Sequence, residues 1–340
     1  MSGCDAVDPS TILRAWTLPA GIVVERARRG TNNVTWLVRV PGTGASDAFV
    51  LRLYQNTVDP AAIAYEHRLL ALLARRPLSF AVPAPMPTAG GETLLSVPVA
   101  GGASRRALAA LFPRIPGEHP RRGEPAVARA CGETHGELDA ALAGISDADV
   151  PCTRRAPTYG DLACIHPLAP DPLALPHALP APAEDTARLR RLLEEAAGQA
   201  PALYRSLPRQ IIHSDFGTGN VLMMDGRVTG VLDFEFAAPD LRAMDWAVGL
   251  LHSAYAGVPP ERLWDNLDAF GRGYASRIRL LPEEARALPA LLRLRRVVSL
   301  IHRAGRWRQG MASAHSNVRR CCLASSSSVC TCTSNAGVCI

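Results

Sequence analysis

Apolar and polar positions alternate through the first third of the chain and then take up helical spacing. Residues 22–25 and 34–40 are rich in β-branched residues and flank the turn-like Arg29-Gly30-Thr31-Asn32-Asn33. After Pro41-Gly42-Thr43-Gly44 comes Ala48-Phe49-Val50-Leu51-Arg52-Leu53-Tyr54, whose strong β-formers predict a further strand. Pro60 opens a helix that runs to about residue 75, because Ile63, Leu69, Leu70, Leu72 and Leu73 recur at helical spacing. Residues 93–97 and 108–112 predict two more strands. The order predicts an antiparallel sheet with one helix packed on it.

Beyond the hinge-like Pro113-Arg114-Ile115-Pro116-Gly117 the pattern changes. Residues 124–142 and 184–197 predict helices, separated by a Pro- and His-rich stretch. Residues 209–236 predict short strands around a loop, and the chain to about residue 308 predicts helix, broken by Pro282 and Pro289. From about Met311 the sequence is Ser, Cys, Thr and Asn without a period, which predicts a disordered tail. The division that follows is an N-terminal lobe over 1–113, a hinge at 114–117, a C-terminal lobe over 118–310 and the tail over 311–340.

The 340 residues are 48% apolar and 20% charged, which supports a sizeable core and excludes wholesale disorder. No apolar run reaches bilayer length and the first residues lack a signal-peptide layout, so a soluble cytoplasmic protein with no membrane partner is expected. The cysteines do not form a disulfide framework: four are scattered and five crowd the last twenty residues, without the spacing of a zinc site. A formal charge of +6 raises the question of nucleic acid, but the distribution argues against such a partner. Residues 1–117 hold 12 Arg against 7 acids, and residues 118–310 hold 23 against 24, with no basic stripe carrying interleaved aromatics. All 37 basic residues are arginine.

Candidate chemistry concentrates between residues 211 and 236. There His213-Ser214-Asp215-Phe216-Gly217-Thr218-Gly219-Asn220 leads into an apolar stretch, the turn Asp225-Gly226, and a second apolar stretch through Asp233. Asp-Gly between two such stretches predicts a tight hairpin. Antiparallel pairing then brings Asn220 and Asp233 to one end of it, with Asp215 in the loop that feeds it. Transfer of a phosphoryl group to a hydroxyl needs a carboxylate to orient the nucleophile and accept its proton, and hard oxygen ligands for Mg²⁺. An Asp, an Asn five residues on and an Asp on the neighbouring strand supply one base and two ligands. His213 is expected to brace the loop by hydrogen bonds, and Asp245 to anchor a helix start. His166 is expected at the surface, and the arginines at 293, 295, 296, 303, 306 and 308 on the solvated face of a helix.

The blocks HSDFGTGN and GVLDFEFAAPDLRAMDWA resemble those of the phosphotransferase family of aminoglycoside and choline/ethanolamine kinases, and within it the homoserine-kinase-like members. The resemblance runs from about residue 21 to 310. It implies an α+β, protein-kinase-like two-lobed fold: a small antiparallel sheet plus one helix in the N-lobe, and a mostly helical C-lobe. It implies ATP and Mg²⁺ as cofactors, Asp215 as catalytic base, and Asn220 and Asp233 as metal ligands assisted by Glu235. Thr31, Asn32 and Asn33 correspond to a nucleotide loop, although a plain hairpin turn fits them nearly as well. Glu66 matches the glutamate that pairs with a phosphate-contacting lysine on a strand, and Arg52 stands where that lysine is expected.

The activity implied is ATP- and Mg²⁺-dependent phosphorylation of a small-molecule alcohol, with a homoserine-like or other amino-alcohol acceptor favoured. The near-neutral 118–310 region does not favour a polycationic acceptor. Two alternatives stay open: an aminoglycoside phosphotransferase, and a non-catalytic nucleotide-binding module suggested by Arg52.

Overall fold

The structure is a computed structural model that describes residues 7–27, 33–41, 48–55, 59–98, 106–151, 157–178 and 182–309. Thr31, Asn32 and the expected tail over 311–340 lie outside the described residues. In chain order the first elements are α1 (Pro9–Leu13), β1 (Val23–Arg26), β2 (Val34–Arg39), β3 (Ala48–Tyr54), α2 (Pro60–Leu73), β4 (Leu95–Pro98) and β5 (Arg106–Pro113). Next come α3 (Pro125–Ala143), α4 (Leu175–Ala178), α5 (Ala183–Ser206), β6 (Arg209–Ile212), β7 (Val221–Met224) and β8 (Arg227–Val231). The remainder is β9 (Ala238–Leu241), α6 (Arg242–Leu250), α7 (Leu263–Ala275) and α8 (Pro282–Arg308). Among the described residues no helix is long and apolar enough to cross a membrane.

Two units divide the chain. The first takes Met1–Arg121, Ala140–Arg155 and Thr218–Ala237. It contains a five-stranded antiparallel sheet ordered β1-β2-β3-β5-β4. Alternation along β3 decides what each face does. Leu51 and Leu53 are fully buried, in a core with Trp36, Val38, Leu111 and the α1-side residues Ile12, Leu13 and Trp16. It is Arg52 and Tyr54, on the other face, that meet α2 through Glu66 and His67. α2 starts where it does because Pro60 suits its first position and the Asp59 carboxylate accepts the Ala61 N–H at 2.9 Å.

The hairpin β7–β8 belongs to this first unit. Asp225 and Gly226, at φ 52° and 74°, close it as a tight turn with both central residues left-handed. Two outside segments tie it down. Ala81 exchanges backbone bonds with Thr229 and Val231, and Glu118 exchanges them with Met223. Gly117, at φ 127°, passes so close that a Cβ there would lie 2.6 Å from Thr229 Oγ1.

The second unit takes Arg122–Asp139, Ala156–Gly217 and Ala238–Ile340. The pair β6–β9 sits among helices whose core joins Leu189, Leu193, Ile212, Leu241, Met244, Leu294, Val297 and Ile301. Buried Glu284 of α8 receives a two-pronged contact from Arg242 of α6 and accepts the Leu281 N–H at 2.7 Å. α8 runs unbroken through Pro289, contrary to the expected interruption. A proline inside a helix costs about 3 kcal/mol; burial of Leu291, Leu294, Val297, Leu300 and Ile301 on the same helix offsets it.

α3 and α7 cross at glycines. A Cβ at Gly132 would lie 2.2 Å from the Phe270 carbonyl oxygen, and one at Gly273 would lie 2.3 Å from that of Arg129. Gly198 on α5 has nothing within 4 Å of such an atom. Gly132→Ala and Gly273→Ala are expected to destabilise the protein by about 1–3 kcal/mol each through overpacking. Gly198→Ala should stabilise it by about 0.5–1 kcal/mol through helix propensity. Thermal or denaturant melts of the three variants check this, and equal behaviour would refute the close crossing.

Candidate active site

Strand β3 delivers Arg52 to the α2 face, where its Nη1 lies 3.4 Å from Glu66 Oε1. The guanidinium also lies over two aromatic rings, 5.8 Å from the Tyr54 centroid and 5.2 Å from that of Phe112. Tyr54 and Phe112 share the Arg52 face because residues two apart on a strand, and residues opposed across the β3–β5 register, point the same way. The Tyr54 hydroxyl bonds His67 Nε2 at 3.0 Å, and His67 Nδ1 bonds Thr93 Oγ1 at 2.9 Å.

Charge in this cluster is unbalanced. Burial acts against the Arg52 cation, but Glu66, Tyr54, Asp233 and Glu235 outweigh it and raise its pKa above the usual value. Burial pushes the Glu66 carboxyl up to about 7, with Arg52 opposing and the charges of Asp233 and Glu235 adding to the rise. Burial and then Arg52 hold His67 down to about 4, so its ring is neutral. Glu66, Asp233 and Glu235 thus bring three carboxyl groups to bear on one arginine.

The hairpin sets Asn220 next to this group. The Leu232 N–H donates to the Asn220 carbonyl at 2.8 Å, so Asn220 stands at the same end of the hairpin as Asp233. Asp233 adopts φ 65°, a left-handed conformation that aspartate tolerates better than most residues.

In the second unit the loop after β6 carries Asp215. Its backbone is clamped by Asp245, the fourth residue of α6, which is fully buried. The His213 N–H donates to Asp245 Oδ2 and the Ser214 N–H to Oδ1, each at 2.8 Å. The Asp215 N–H donates to His213 Nδ1 at 3.2 Å, and the Tyr159 hydroxyl donates to the Ser214 carbonyl at 2.5 Å. Ser214 is left-handed at φ 69°, a position for which glycine is the usual residue. Phe216 stacks flat on the His135 ring at 4.1 Å.

Behind the loop, His135 Nε2 lies 3.3 Å from Asp245, and the Tyr274 hydroxyl donates to Asp139 at 2.6 Å. Burial works against ionisation of Asp245, yet its contacts with His135, His213 and Asp139 hold its carboxyl at about 2. Burial and the Asp245 charge push Asp139 well above the usual carboxylate range. His135, Asp139 and Asp245 have ligand atoms within 4.8 Å of one another, as a metal site would. Both Asp245 oxygens are already committed to backbone N–H groups, so the cluster serves as an anchor for the loop.

The Asp215 carboxylate is about one-third exposed. Its Oδ1 lies 3.7 Å from Arg295 Nη2 and 3.8 Å from His252 Nδ1. Asn33 uses its side chain to accept the Gln55 N–H at 3.0 Å, joining β2 to β3.

Several expectations are corrected here. Asp245 anchors the loop rather than a helix start. His166 is buried, its ring so close to Gly305 that a Cβ there would lie 2.1 Å away. Arg295 is not solvated: its side chain is 12% exposed and its guanidinium lies 5.6 Å from the Tyr159 ring centroid. The helical period carried a signal for it, since Arg295 stands one turn after buried Leu291 and directly follows buried Leu294. His252 had no comparable signal. It lies in a π-helical turn, Leu251–Tyr255, that brings its Cβ against Gly217.

Residues 23–281 match the profile of the phosphotransferase enzyme family. The chain is similar to a homoserine kinase of Acidiphilium cryptum (strain JF-5), 32% identical over 270 residues that cover 76% of this chain and 74% of that one. It is 30% identical over 274 residues to a homoserine kinase of Gluconacetobacter diazotrophicus, covering 77% and 74%. Among solved structures, a microcompartment-associated aminopropanol kinase superposes with a TM-score of 0.68 at 19% identity, covering 92% of this chain and 95% of that one. A choline kinase from Cryptosporidium parvum Iowa II gives 0.62 at 13% identity, covering 92% of each chain. The sheet with α2, the Asp245-clamped loop and these likenesses agree, and the chain belongs to the phosphotransferase enzyme family, with the α+β fold of the protein-kinase-like phosphotransferases.

Proposed function

We propose that this phosphotransferase, a kinase of small-molecule alcohols, moves the γ-phosphate of ATP onto the hydroxyl of a homoserine-like amino alcohol, with Asp215 as the base. The observation that carries the reading is the bond from the Leu232 N–H to the Asn220 carbonyl. It makes neighbours of the two metal-ligand candidates, Asn220 and Asp233, that a phosphoryl transferase needs beside its base. Relatives named homoserine kinase support the acceptor class, as does the aminopropanol kinase among the structural neighbours.

In this reading the Asp215 carboxylate orients the acceptor hydroxyl and takes its proton as the oxygen bonds to the γ-phosphorus and the bond to the β-phosphate oxygen breaks. The clamp from Asp245 and His213 keeps that carboxylate in one place, so little ordering remains to be done in the transition state. Arg52, steered by Glu66 and two aromatic rings, holds nucleotide phosphate oxygens. The donor set fits a hard divalent cation, proposed as Mg²⁺: an amide oxygen from Asn220 and carboxylates from Asp233 and Glu235, in a cluster with surplus negative charge. Such an ion would neutralise charge on the phosphates. The 1–113 region is proposed as the nucleotide lobe and 118–310 as the catalytic and acceptor lobe, with 114–117 between them. The hairpin carrying Asn220 and Asp233 nevertheless belongs to the unit that carries the sheet. Against the non-catalytic alternative stands the Arg52–Glu66 pair, which has the partner the family's lysine would have.

Removing a general base costs about 10²–10⁴-fold in rate. Asp215→Asn is therefore expected to lower kcat by that much with ATP affinity within a few-fold of the parent. Steady-state kinetics beside nucleotide titration check it, and near-normal turnover would remove Asp215 from the role.

Asp233→Ala is expected to abolish metal-dependent ATP turnover, and Asn220→Ala to shift half-maximal activity to higher Mg²⁺. Chelation of the parent should stop turnover reversibly. Magnesium titrations identical in all three proteins would show that the cation is held elsewhere.

Arg52→Ala is expected to weaken ATP binding roughly 10- to 100-fold, the loss of a charge-assisted contact of about 1.5–3 kcal/mol. Arg52→Lys should fall between the two, because lysine keeps the charge beside Glu66 but lacks the planar fork of the guanidinium. ATP KM and kcat for both variants decide this. Parity of Arg52→Ala with the parent would sink the assignment.

A further inference from the structure

The surroundings of Asp215 hold more positive charge than the base needs. Arg295 approaches it at 3.7 Å, too far for a direct hydrogen bond, and the Arg295 Nε is buried with no hydrogen-bond partner among the described residues. On the other side of the same carboxylate oxygen stands His252 at 3.8 Å. Burial, and then the charges of Arg295, Arg122 and Arg303, hold His252 down to about 3, so the imidazole is neutral. Three arginines therefore bear on one neutral ring next to one carboxylate. They arrive from separate places: Arg122 from just before α3, where its Nη1 reaches the Ala256 carbonyl at 3.4 Å, and Arg295 and Arg303 from α8. Arg295, Ser299 and Arg303 are spaced by one helical turn and so follow one another along one side of α8. The Tyr159 ring backs the Arg295 guanidinium, 5.6 Å from centroid to Cζ.

We propose that Arg295, with Arg122 and Arg303 around His252, forms an anion subsite beside Asp215 that takes the carboxylate of the acceptor. The substrate is then an amino acid whose side chain ends in a hydroxyl, rather than a decarboxylated amino alcohol, a choline-like cation or a polycationic aminoglycoside. The proposal rests on Asp215 being the base that faces the acceptor hydroxyl. A hydroxyl and a carboxylate joined by a short alkyl chain then let one molecule reach the base and the arginines together. A carboxylate oxygen gives the arginine donors a charged acceptor in a half-buried place, where such contacts are worth more than in water. A cationic acceptor without a carboxylate meets the opposite: repulsion from guanidinium groups that no negative charge of its own offsets.

The test compares L-homoserine with 3-amino-1-propanol, the same chain without its carboxylate, as acceptors for the full-length protein with ATP and Mg²⁺. The parent is expected to favour L-homoserine in kcat/KM by at least roughly tenfold. Arg295→Gln should cut that ratio by roughly 10- to 100-fold, chiefly through the KM for L-homoserine. Arg303→Gln, at an exposed position of α8, should cut it less but in the same direction. It carries the test if Arg295→Gln lowers the melting temperature sharply. A parent that phosphorylates both alcohols equally well overturns the subsite and leaves the kinase reading standing. A rise in the KM for ATP instead of that for L-homoserine assigns these arginines to nucleotide phosphates and also overturns it. If no alcohol is turned over, calorimetric titration with L-homoserine separates the two ideas. Binding to the parent that weakens in Arg303→Gln keeps the subsite while the kinase reading fails; no binding overturns both.

Discussion

The candidate site depends first on the two hydrogen bonds by which the Asp245 carboxylate receives the N–H groups of His213 and Ser214. A loop that must hold a carboxylate in the open has few ways to stiffen itself, because its own backbone groups lack a ladder to join. Asp245 supplies the missing partners from inside a helix, as a full charge with no exposure to solvent. Such a charge is expensive unless every lone pair is used. Here the His135 Nε2 stands 3.3 Å from Asp245, and the Tyr274 hydroxyl donates to one oxygen of Asp139 beside it. The flat stacking of Phe216 on His135 brings α3 against the loop as well.

The sheet unit solves a different problem, the placing of a cation on a strand. An arginine at position 52 has a longer and flatter head than a lysine, and the structure accommodates that head with Tyr54 and Phe112 on the same face and Glu66 at its end. Burial first, and then the charges of Asp233 and Glu235, push Glu66 up, while Arg52 stays charged. A group of this kind is suited to receive a divalent cation and phosphates together, each balancing charge the other brings.

Around Asp215 the imbalance runs the other way. Arginines gather about a carboxylate and a neutral histidine, which is the basis for the proposed selection of the acceptor by sign of charge. The lobe-wide balance of 23 Arg against 24 acids hides this. Acids such as Asp139, Asp245 and Glu284 are consumed in the interior, whereas Arg122 and Arg303 remain at the surface, so the local field differs from the average.

The sequence by itself determined what depends on neighbours along the chain. β3 and α2 were legible from period and from Pro60, the β7–β8 turn from Asp225-Gly226, and the approach of Asn220 to Asp233 from the length of the hairpin between them. The residues proposed for phosphoryl transfer could be considered together for the same reason, because Asp215, Asn220 and Asp233 lie within nineteen positions. Partners distant in sequence were not. Whether Arg295 was solvent or site depended on Asp215, eighty residues away, and the purpose of Asp245 depended on N–H groups thirty-one and thirty-two residues earlier. Local propensity also misjudged Pro289, since the energy that keeps α8 whole comes from burial against other helices. Periodicity reports which face of an element is apolar, but only the tertiary structure decides what lies against that face, because packing is a relation between elements and the chain records each one separately.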